Sequence, residues 1–200
     1  MSASDRALTL DAGDLSAERR TLTEACGLLD RSERGKLALS GAGAVEFLNG
    51  QVTNELDGLR RGEGCYAAFL THKGKMLGDL RILAVSDDED ASGQHAGVPA
   101  ALLLDTERVA LQGLFDMIRR FKVGYDVELH KRTVERGLLS LIGPDAAAIA
   151  AAESLAEAEH ANALVEIDGL AALAVRTDVG IDLISAAAST PALWSALCGR

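Results

Sequence analysis

The sequence predicts an α+β fold in which helices pack on one face of largely antiparallel sheets. Two hairpin signals support this prediction: the polar segment 72–75 separates two strand-forming runs, and Asp168-Gly169 separates two more. Short loops that contain glycine are typical of antiparallel neighbours, because parallel strands need a longer crossover. Helical patterns join several of the other strands, so helices and sheets share the core.

The first predicted elements lie between residues 44 and 85. Residues 44–48 have the one-sided apolar spacing of a short helix, which ends near Asn49-Gly50. At the bend that follows, Asn54 either bonds to the local backbone or orients a ligand. Residues 66–70 and 76–85 are rich in strand formers, and the 72–75 turn makes them a hairpin.

The second half of the chain alternates strands and helices. The acidic, turn-rich stretch 86–99 predicts a solvated loop. Thr106 caps a helix that ends at Gly124, and Pro144 begins an Ala-rich helix that extends to about Ala158. The remaining predicted strands are 100–104, 125–129, 138–142, 164–167, 171–175 and 181–185, and the last helix begins at Thr190-Pro191.

Composition and charge exclude several functional classes. The 200 residues are 48% hydrophobic and 25% charged, as in ordinary soluble domains. The net charge of −10 argues against nucleic-acid binding, which draws its affinity from clustered Lys and Arg. No apolar run is long enough to cross a membrane, and residues 1–20 lack a signal-peptide core. We therefore expect a cytoplasmic protein that contacts neither nucleic acid nor membrane.

The cysteines and histidines show no metal-binding spacing. The three cysteines are far apart in sequence, and none forms a Cys-x-x-Cys pair. The four histidines do not pair with one another at ligand spacing either. We predict no metal site and no disulfide framework.

One carboxylate interrupts an apolar strand. Asp79 lies within the run 76–85, where an unpaired charge would be costly to bury. Strand alternation places Asp79 and Arg81 on one face, so either these two form an exposed salt bridge or Asp79 belongs to a binding site. Tyr66 on the preceding strand either stacks on a ligand ring or packs in the core.

Taken in order, these motifs resemble the folate-binding family of the glycine-cleavage T-protein. Two later segments, 141–146 and 176–183, resemble further elements of that family, and the resemblance covers residues 27–200. The earlier motifs are a glycine-led segment ending in Thr53-Asn54, then Tyr66, the Lys73-Gly74-Lys75 turn, and Asp79 before Leu80.

Within that family, Lys73-Gly74-Lys75-Met76 and Leu80-Arg81 look more like the YgfZ branch, whose members support iron–sulfur enzymes. T-proteins carry an acidic pair in the second strand, whereas this chain has Gly78-Asp79. The resemblance implies a tetrahydrofolate-binding accessory protein, with iron–sulfur enzymes or assembly proteins as partners. The alternatives are an aminomethyltransferase, with Asp79 as acid/base or stabilising carboxylate, and an incomplete fragment without tight ligand binding.

The resemblance also implies two interleaved lobes of mostly antiparallel sheet with packed helices. Residues 27–50 and 132–200 would form the first lobe and residues 51–131 the second, after a polar N-terminal segment 1–26. The family's C-terminal barrel has no counterpart in these 200 residues. We therefore expect that the sequence is a truncated part of a longer protein.

A set of folate-binding residues follows from the resemblance. Asp182 either accepts the edge of the pterin ring or is a solvent-facing carboxylate of an edge strand. Asp79 would lie at the N5/N10 region of the folate, and Lys73, Lys75 or Arg81 near its anionic tail. Tyr66 would stack on the ring and Asn54 would orient the ligand.

Overall fold

A computed structural model describes residues 12–85 and 101–200. Its helices are α1 (Ala12–Glu24), α2 (Ala44–Asn49), α3 (Leu111–Phe121), α4 (Ala146–Ile149) and α5 (Thr190–Cys198). Its strands are β1 (Gly27–Asp30), β2 (Gly35–Ser40), β3 (Gly64–Leu70), β4 (Met76–Val85), β5 (Ala101–Thr106), β6 (Glu128–Lys131), β7 (Arg136–Ile142), β8 (Asn162–Ile167), β9 (Leu170–Arg176) and β10 (Gly180–Ala186).

Some predictions fall outside the described residues. These are the acidic loop 86–99, the start of the next strand at Ala100, and residues 1–11 of the polar N-terminal segment. Within the described ranges, no helix is both long and apolar enough to cross a membrane.

The strands form two five-stranded sheets, and all pairings between the described strands are antiparallel. The first sheet has the order β1-β7-β10-β9-β8, and the second has the order β3-β4-β5-β2-β6. Both predicted hairpins are present, β3–β4 and β8–β9. The prediction of an α+β fold with antiparallel sheets is therefore confirmed.

The first strand of the described residues, β1, lies in the first sheet, and the chain then crosses to the second sheet and returns. β2 pairs with β5 and β6 in the interior of the second sheet. Its Leu37 and Leu39 share a core with Phe47 of α2, so both elements lie with the second sheet. The crossing therefore falls within residues 31–34, and not at the expected boundary after residue 50. The return falls between β6 and β7.

The Ala-rich helix is shorter than predicted. α4 ends at Ile149, and Ala151 has a φ of 51°, which the right-handed helix does not allow. Residues 150–161 instead form turns in which the guanidinium of Arg176 donates to the carbonyls of Leu155 and Ala156 at 2.8 and 3.1 Å. These tertiary hydrogen bonds override the helix propensity of alanine.

Side-chain alternation divides the apolar core into three clusters. One lies between the second sheet and helices α2 and α3, and another between the first sheet and helices α4 and α5. The third lies between the two sheets and consists of Leu83, Leu103, Leu138, Val175 and Ile184. The sheets thus pack face to face, with helices on their outer faces.

Candidate functional site

The layer between the two sheets changes from apolar to polar along its length. On each of four strands, an apolar residue of the inter-sheet cluster lies two positions from a polar residue on the same face. The pairs are Leu83 and Arg81 on β4, Leu103 and Asp105 on β5, Leu138 and Ser140 on β7, and Ile184 and Asp182 on β10. The polar members lie at one end of the layer, where the sheets border a cleft of about 260 Å³.

Arg81 links the two sheets inside this polar end. Its side chain is 9% exposed. Nε donates to Oδ2 of Asp105 at 2.7 Å, and Nη1 lies 2.6 Å from Oδ2 of Asp182. Burial alone would lower the pKa of Arg81, but the two carboxylates outweigh burial and raise it. The alternative of an exposed Arg81–Asp79 salt bridge is wrong, because Arg81 is buried and paired with other carboxylates.

Asp182 is buried on an interior strand, and is not a solvent-facing residue at a sheet edge. It is 3% exposed, and β10 lies between β7 and β9. The hydroxyl of Ser140 donates to Oδ1 of Asp182 at 2.5 Å, while Oδ2 faces Arg81. Each carboxylate oxygen has two lone pairs, so Asp182 keeps capacity to accept another donor.

Arg34 closes the same ionic network from the segment between β1 and β2. Its Nε donates to Oδ1 of Asp105 at 2.8 Å, and its Nη1 is hydrogen bonded to Glu107 at the cleft mouth. Burial would lower the pKa of Arg34, but the hydrogen bond and charge of Asp105, together with Glu107, raise it. Both guanidinium groups therefore stay charged and bound to Asp105.

Tyr66 and Asp79 form the rim of the cleft on the second sheet. Residue 66 lies opposite Arg81 in the β3–β4 register, so Asp79 is its diagonal neighbour. The Tyr66 hydroxyl donates to Oδ2 of Asp79. This hydrogen bond, with burial and the charge of Asp79, raises the pKa of Tyr66. Tyr66 is 55% exposed, so it is not the core aromatic that one reading of the sequence allowed.

His160 reaches the cleft from the first sheet, just before β8. It is 7% exposed, and its ring stacks on Tyr66 with a centroid distance of 6.4 Å. Its backbone has a φ of 65°, an uncommon conformation that is enriched at functional sites. Burial lowers the pKa of His160 more than Glu159 raises it, and Arg81 adds to the lowering. The imidazole is therefore neutral near pH 7.

Three buried side-chain atoms of the described residues lack a hydrogen bond, and all three belong to residues that line this cleft. They are Arg81 Nη2, His160 Nδ1 and Asp182 Oδ2. The first and third still have close ionic contacts, at 2.5 and 2.6 Å, without hydrogen-bond alignment. His160 Nδ1 has no such contact among the ion pairs of the described chain. Unpaired buried polar atoms are costly, and they mark places where a polar ligand gains affinity.

The structure brings some of the predicted binding residues together and leaves others apart. The predicted residues that line the cleft are Tyr66, Asp79, Arg81 and Asp182. Lys73 and Lys75 are exposed at the tip of the β3–β4 hairpin and do not line it. Lys75 lies four residues before Asp79, which corresponds to about 13 Å along a strand. Asn54 is exposed, and its amide donates to the Tyr66 carbonyl at 3.0 Å, which closes the local bend.

Several residues of the cleft and its ionic network were not predicted from the sequence. Asp105, which binds Arg34 and Arg81 but does not itself line the cleft, carried a signal, since it interrupts the apolar strand β5 as Asp79 interrupts β4. Among the residues that do line the cleft, Arg34, Ser140 and His160 come from distant segments with no motif of their own. Among the described residues, no group of three or more His, Cys, Asp or Glu could hold a metal ion.

The amino-acid sequence is similar to known proteins over nearly its whole length. Residues 11–198 match the family described as GCVT N-terminal domain. An aminomethyltransferase of Mycobacterium tuberculosis is 36% identical over 103 residues, which cover 52% of this chain and 28% of that protein. An aminomethyltransferase of Thermotoga petrophila is 25% identical over 188 residues, covering 90% of this chain and 48% of that protein. The chain thus spans less than half the length of these curated relatives.

Solved structures share the fold. The glycine cleavage system aminomethyltransferase T of Bartonella henselae superposes with a TM-score of 0.74 at 22% identity, covering 92% of this chain and 48% of that one. A chain of the heterotetrameric sarcosine oxidase from Corynebacterium sp. U-96 superposes with a TM-score of 0.59 at 17% identity, covering 94% and 93%. At these identities the likeness establishes the fold alone.

Proposed function

Because the chain belongs to the GCVT N-terminal domain family, we propose that it is the folate-binding part of an aminomethyltransferase. The observation that carries this proposal is the sequence similarity to curated aminomethyltransferases. The position of the polar cleft supports it, because four of the residues predicted to bind folate line that cleft.

The donors and acceptors of the cleft fit a flat polar heterocycle such as a pterin. Asp182 has accepting capacity for the N–H edge of such a ring, and the neutral imidazole of His160 has an unpaired nitrogen. Tyr66 offers an exposed aromatic face at the rim. When bound, tetrahydrofolate supplies the amines that accept the one-carbon unit.

Asp79 is the residue suited to the reacting end of the ligand. It is half-buried, lines the cleft, and is held in place by the Tyr66 hydroxyl. A positioned carboxylate can accept a proton from an attacking amine or stabilise a developing positive charge. Thr106 further fixes this part of β4, because its hydroxyl donates to the Asp79 carbonyl at 2.5 Å.

A second candidate is the folate-binding accessory protein of iron–sulfur enzymes, and Gly78 favours it. A Cβ at residue 78 would lie 2.6 Å from Cβ of Ala110 and 2.9 Å from the Phe69 ring. Strand alternation also directs residue 78 away from the cleft, toward the core under α3. Packing thus disfavours the second carboxylate of the acidic pair that T-proteins carry on this strand, and a chain that keeps Asp79 alone suits ligand binding without turnover.

Calorimetry and a turnover assay together test both candidates. The full-length gene product is titrated with tetrahydrofolate and then assayed for ammonia release from the aminomethyl-lipoyl carrier. The transferase proposal predicts binding, turnover, and a loss of about a hundredfold or more in Asp79→Asn. The matched control is Asp116→Asn, which removes a half-exposed carboxylate outside the cleft and should leave the rate nearly unchanged.

Each other outcome decides against the transferase. Binding without turnover, with Asp79→Asn weakening binding alone, would support the accessory protein. The absence of tetrahydrofolate binding would contradict both candidates.

A further inference from the structure

The cations that line the cleft differ in how far they are available to a ligand. Among the described cleft residues there are three arginines, Arg31, Arg34 and Arg81. Arg34 and Arg81 both bind Asp105, at 2.8 and 2.7 Å, and both are buried. The charge of each is already neutralised by the buried carboxylate of Asp105, so both attract a further anion less strongly than an arginine without such a partner.

Arg31 is available. Its side chain is 35% exposed, and the carboxylate nearest to it, Glu107 Oε1, lies at 3.9 Å from its Nη2. The same oxygen already accepts a hydrogen bond from Arg34, so Glu107 holds Arg31 only weakly. A guanidinium has five N–H donors in a planar fork that matches a carboxylate.

The segment that carries Arg31 is held rigidly. Arg31 N–H donates to the Leu138 carbonyl at 2.9 Å, and Arg34 N–H donates to the Arg31 carbonyl at 3.1 Å. The buried ammonium of Lys36 donates to the carbonyls of Ser32 and Arg34, each at 3.0 Å. Arg31 is thus presented at the cleft mouth from a fixed backbone, which lowers the entropic cost of binding a ligand through it.

The side of the cleft that borders a neighbouring groove is acidic. A neighbouring groove shares Glu159 and Asp178 with the cleft and adds Glu157. Its cation, Arg176, donates to the carbonyls of Leu155 and Ala156. A ligand tail with negative charge is repelled on that side and attracted on the side of Arg31.

The size of the cleft makes the direction of the tail matter. Its volume of about 260 Å³ is below the range of roughly 300–1,000 Å³ that holds a drug-sized ligand. A pterin ring with a benzoyl-glutamate tail therefore extends beyond the enclosed part of the cleft. Its carboxylates then lie outside that part, where they are attracted on the side of Arg31 and repelled on the side of Glu157, Glu159 and Asp178.

We propose that Arg31 binds a carboxylate of the ligand's glutamate tail and so determines the preference for folates over pterins without a tail. This inference rests on the proposed folate site and deepens it. It assigns to Arg31 the contact that the sequence resemblance implied for Lys73, Lys75 or Arg81.

Calorimetry with two probes tests this assignment. Tetrahydrofolate and 6-methyltetrahydropterin, which lacks the tail, are titrated into the parent protein and into Arg31→Gln. We expect the parent to bind tetrahydrofolate about tenfold more tightly than the pterin, and Arg31→Gln to bind the two nearly equally. Arg31→Lys should restore part of the preference, and the matched control Lys73→Gln/Lys75→Gln should keep all of it. Added salt should weaken tetrahydrofolate binding in the parent more than pterin binding.

The outcomes separate this inference from the function beneath it. Equal affinities in the parent, an unchanged preference in Arg31→Gln, or loss of the preference in the lysine variant would overturn the role of Arg31 while leaving the folate site intact. If neither probe binds, the folate site itself is contradicted, and the role of Arg31 with it. If Arg31→Gln does not fold, two other measurements decide the role of Arg31. They are the ligand preference of Arg31→Lys and the salt dependence of tetrahydrofolate binding to the parent.

Discussion

Single residues of this site are defined by partners that lie far away in sequence. Strand alternation correctly placed Asp79 and Arg81 on one face, but it could not show that Arg81 pairs with Asp105 and Asp182, 24 and 101 positions later. The partner of Asp79 is instead Tyr66, across the hairpin. A pattern within one strand therefore singled out two residues that line the cleft, and only the packing of two sheets determined the partner of each.

The hydrogen bond from Tyr66 to Asp79 predicts a measurable pKa. In Asp79→Ala the pKa of Tyr66 should fall toward the ordinary tyrosine value of about 10, because both the acceptor and the negative charge are lost. The chain has two tyrosines, so the titration uses Tyr125→Phe, which keeps the ring that packs against Phe47. Ultraviolet absorbance of the phenolate against pH gives the value. An unchanged pKa in Asp79→Ala would mean that the hydrogen bond does not form in solution.

Among the elements, local ones were predictable and non-local ones were not. The β3–β4 and β8–β9 hairpins follow from short turns, since Gly74 and Gly169 take φ values of 74° and 78° that favour glycine. The position of β2 could not be predicted, because it pairs with β5 and β6, more than 60 residues later. Helix α4 was overestimated, since alanine content says nothing about the hydrogen bonds that Arg176 makes with the following turns.

Close packing of β4 under α3 predicts that residue 78 tolerates only glycine. Gly78→Ala should lower the free energy of unfolding by about 1–3 kcal/mol through overpacking, and Gly78→Asp by more, because it also buries an unpaired charge. The control is Gly58→Ala, where nothing lies within 4 Å of the added Cβ. Urea unfolding measures the free energy of unfolding of all three variants and of the parent. If Gly78→Asp were as stable as the parent, close packing would not explain why residue 78 lacks the second carboxylate of the T-protein acidic pair.

In the whole molecule, the polar end of the inter-sheet layer joins the two sheets beside the proposed binding cleft. Arg81 on β4 reaches Asp182 on β10, so one side chain connects the two sheets beside the cleft. The apolar cluster of Leu83, Leu138 and Ile184 continues the same contact away from the cleft. The proposed binding residues of the two sheets therefore keep their relative positions only while this layer is intact.

This arrangement predicts a large effect of removing Arg81. Arg81→Met should lower the free energy of unfolding by about 3–5 kcal/mol, because Asp105 and Asp182 lose a buried charge partner. The matched control Arg119→Met removes an arginine that is 69% exposed and paired with Asp116. This variant should change the free energy of unfolding by less than about 1 kcal/mol. Equal effects in urea unfolding would show that the buried network contributes no more than a surface pair.

The most direct test of the folate site is a crystal structure of the full-length protein with bound tetrahydrofolate. We predict that the pterin ring lies between the sheets, within hydrogen-bonding distance of Asp182 and His160 and against Tyr66 and Asp79, with the tail leaving past Arg31. Tetrahydrofolate bound elsewhere on the chain, with the cleft between the sheets left empty, would contradict this assignment.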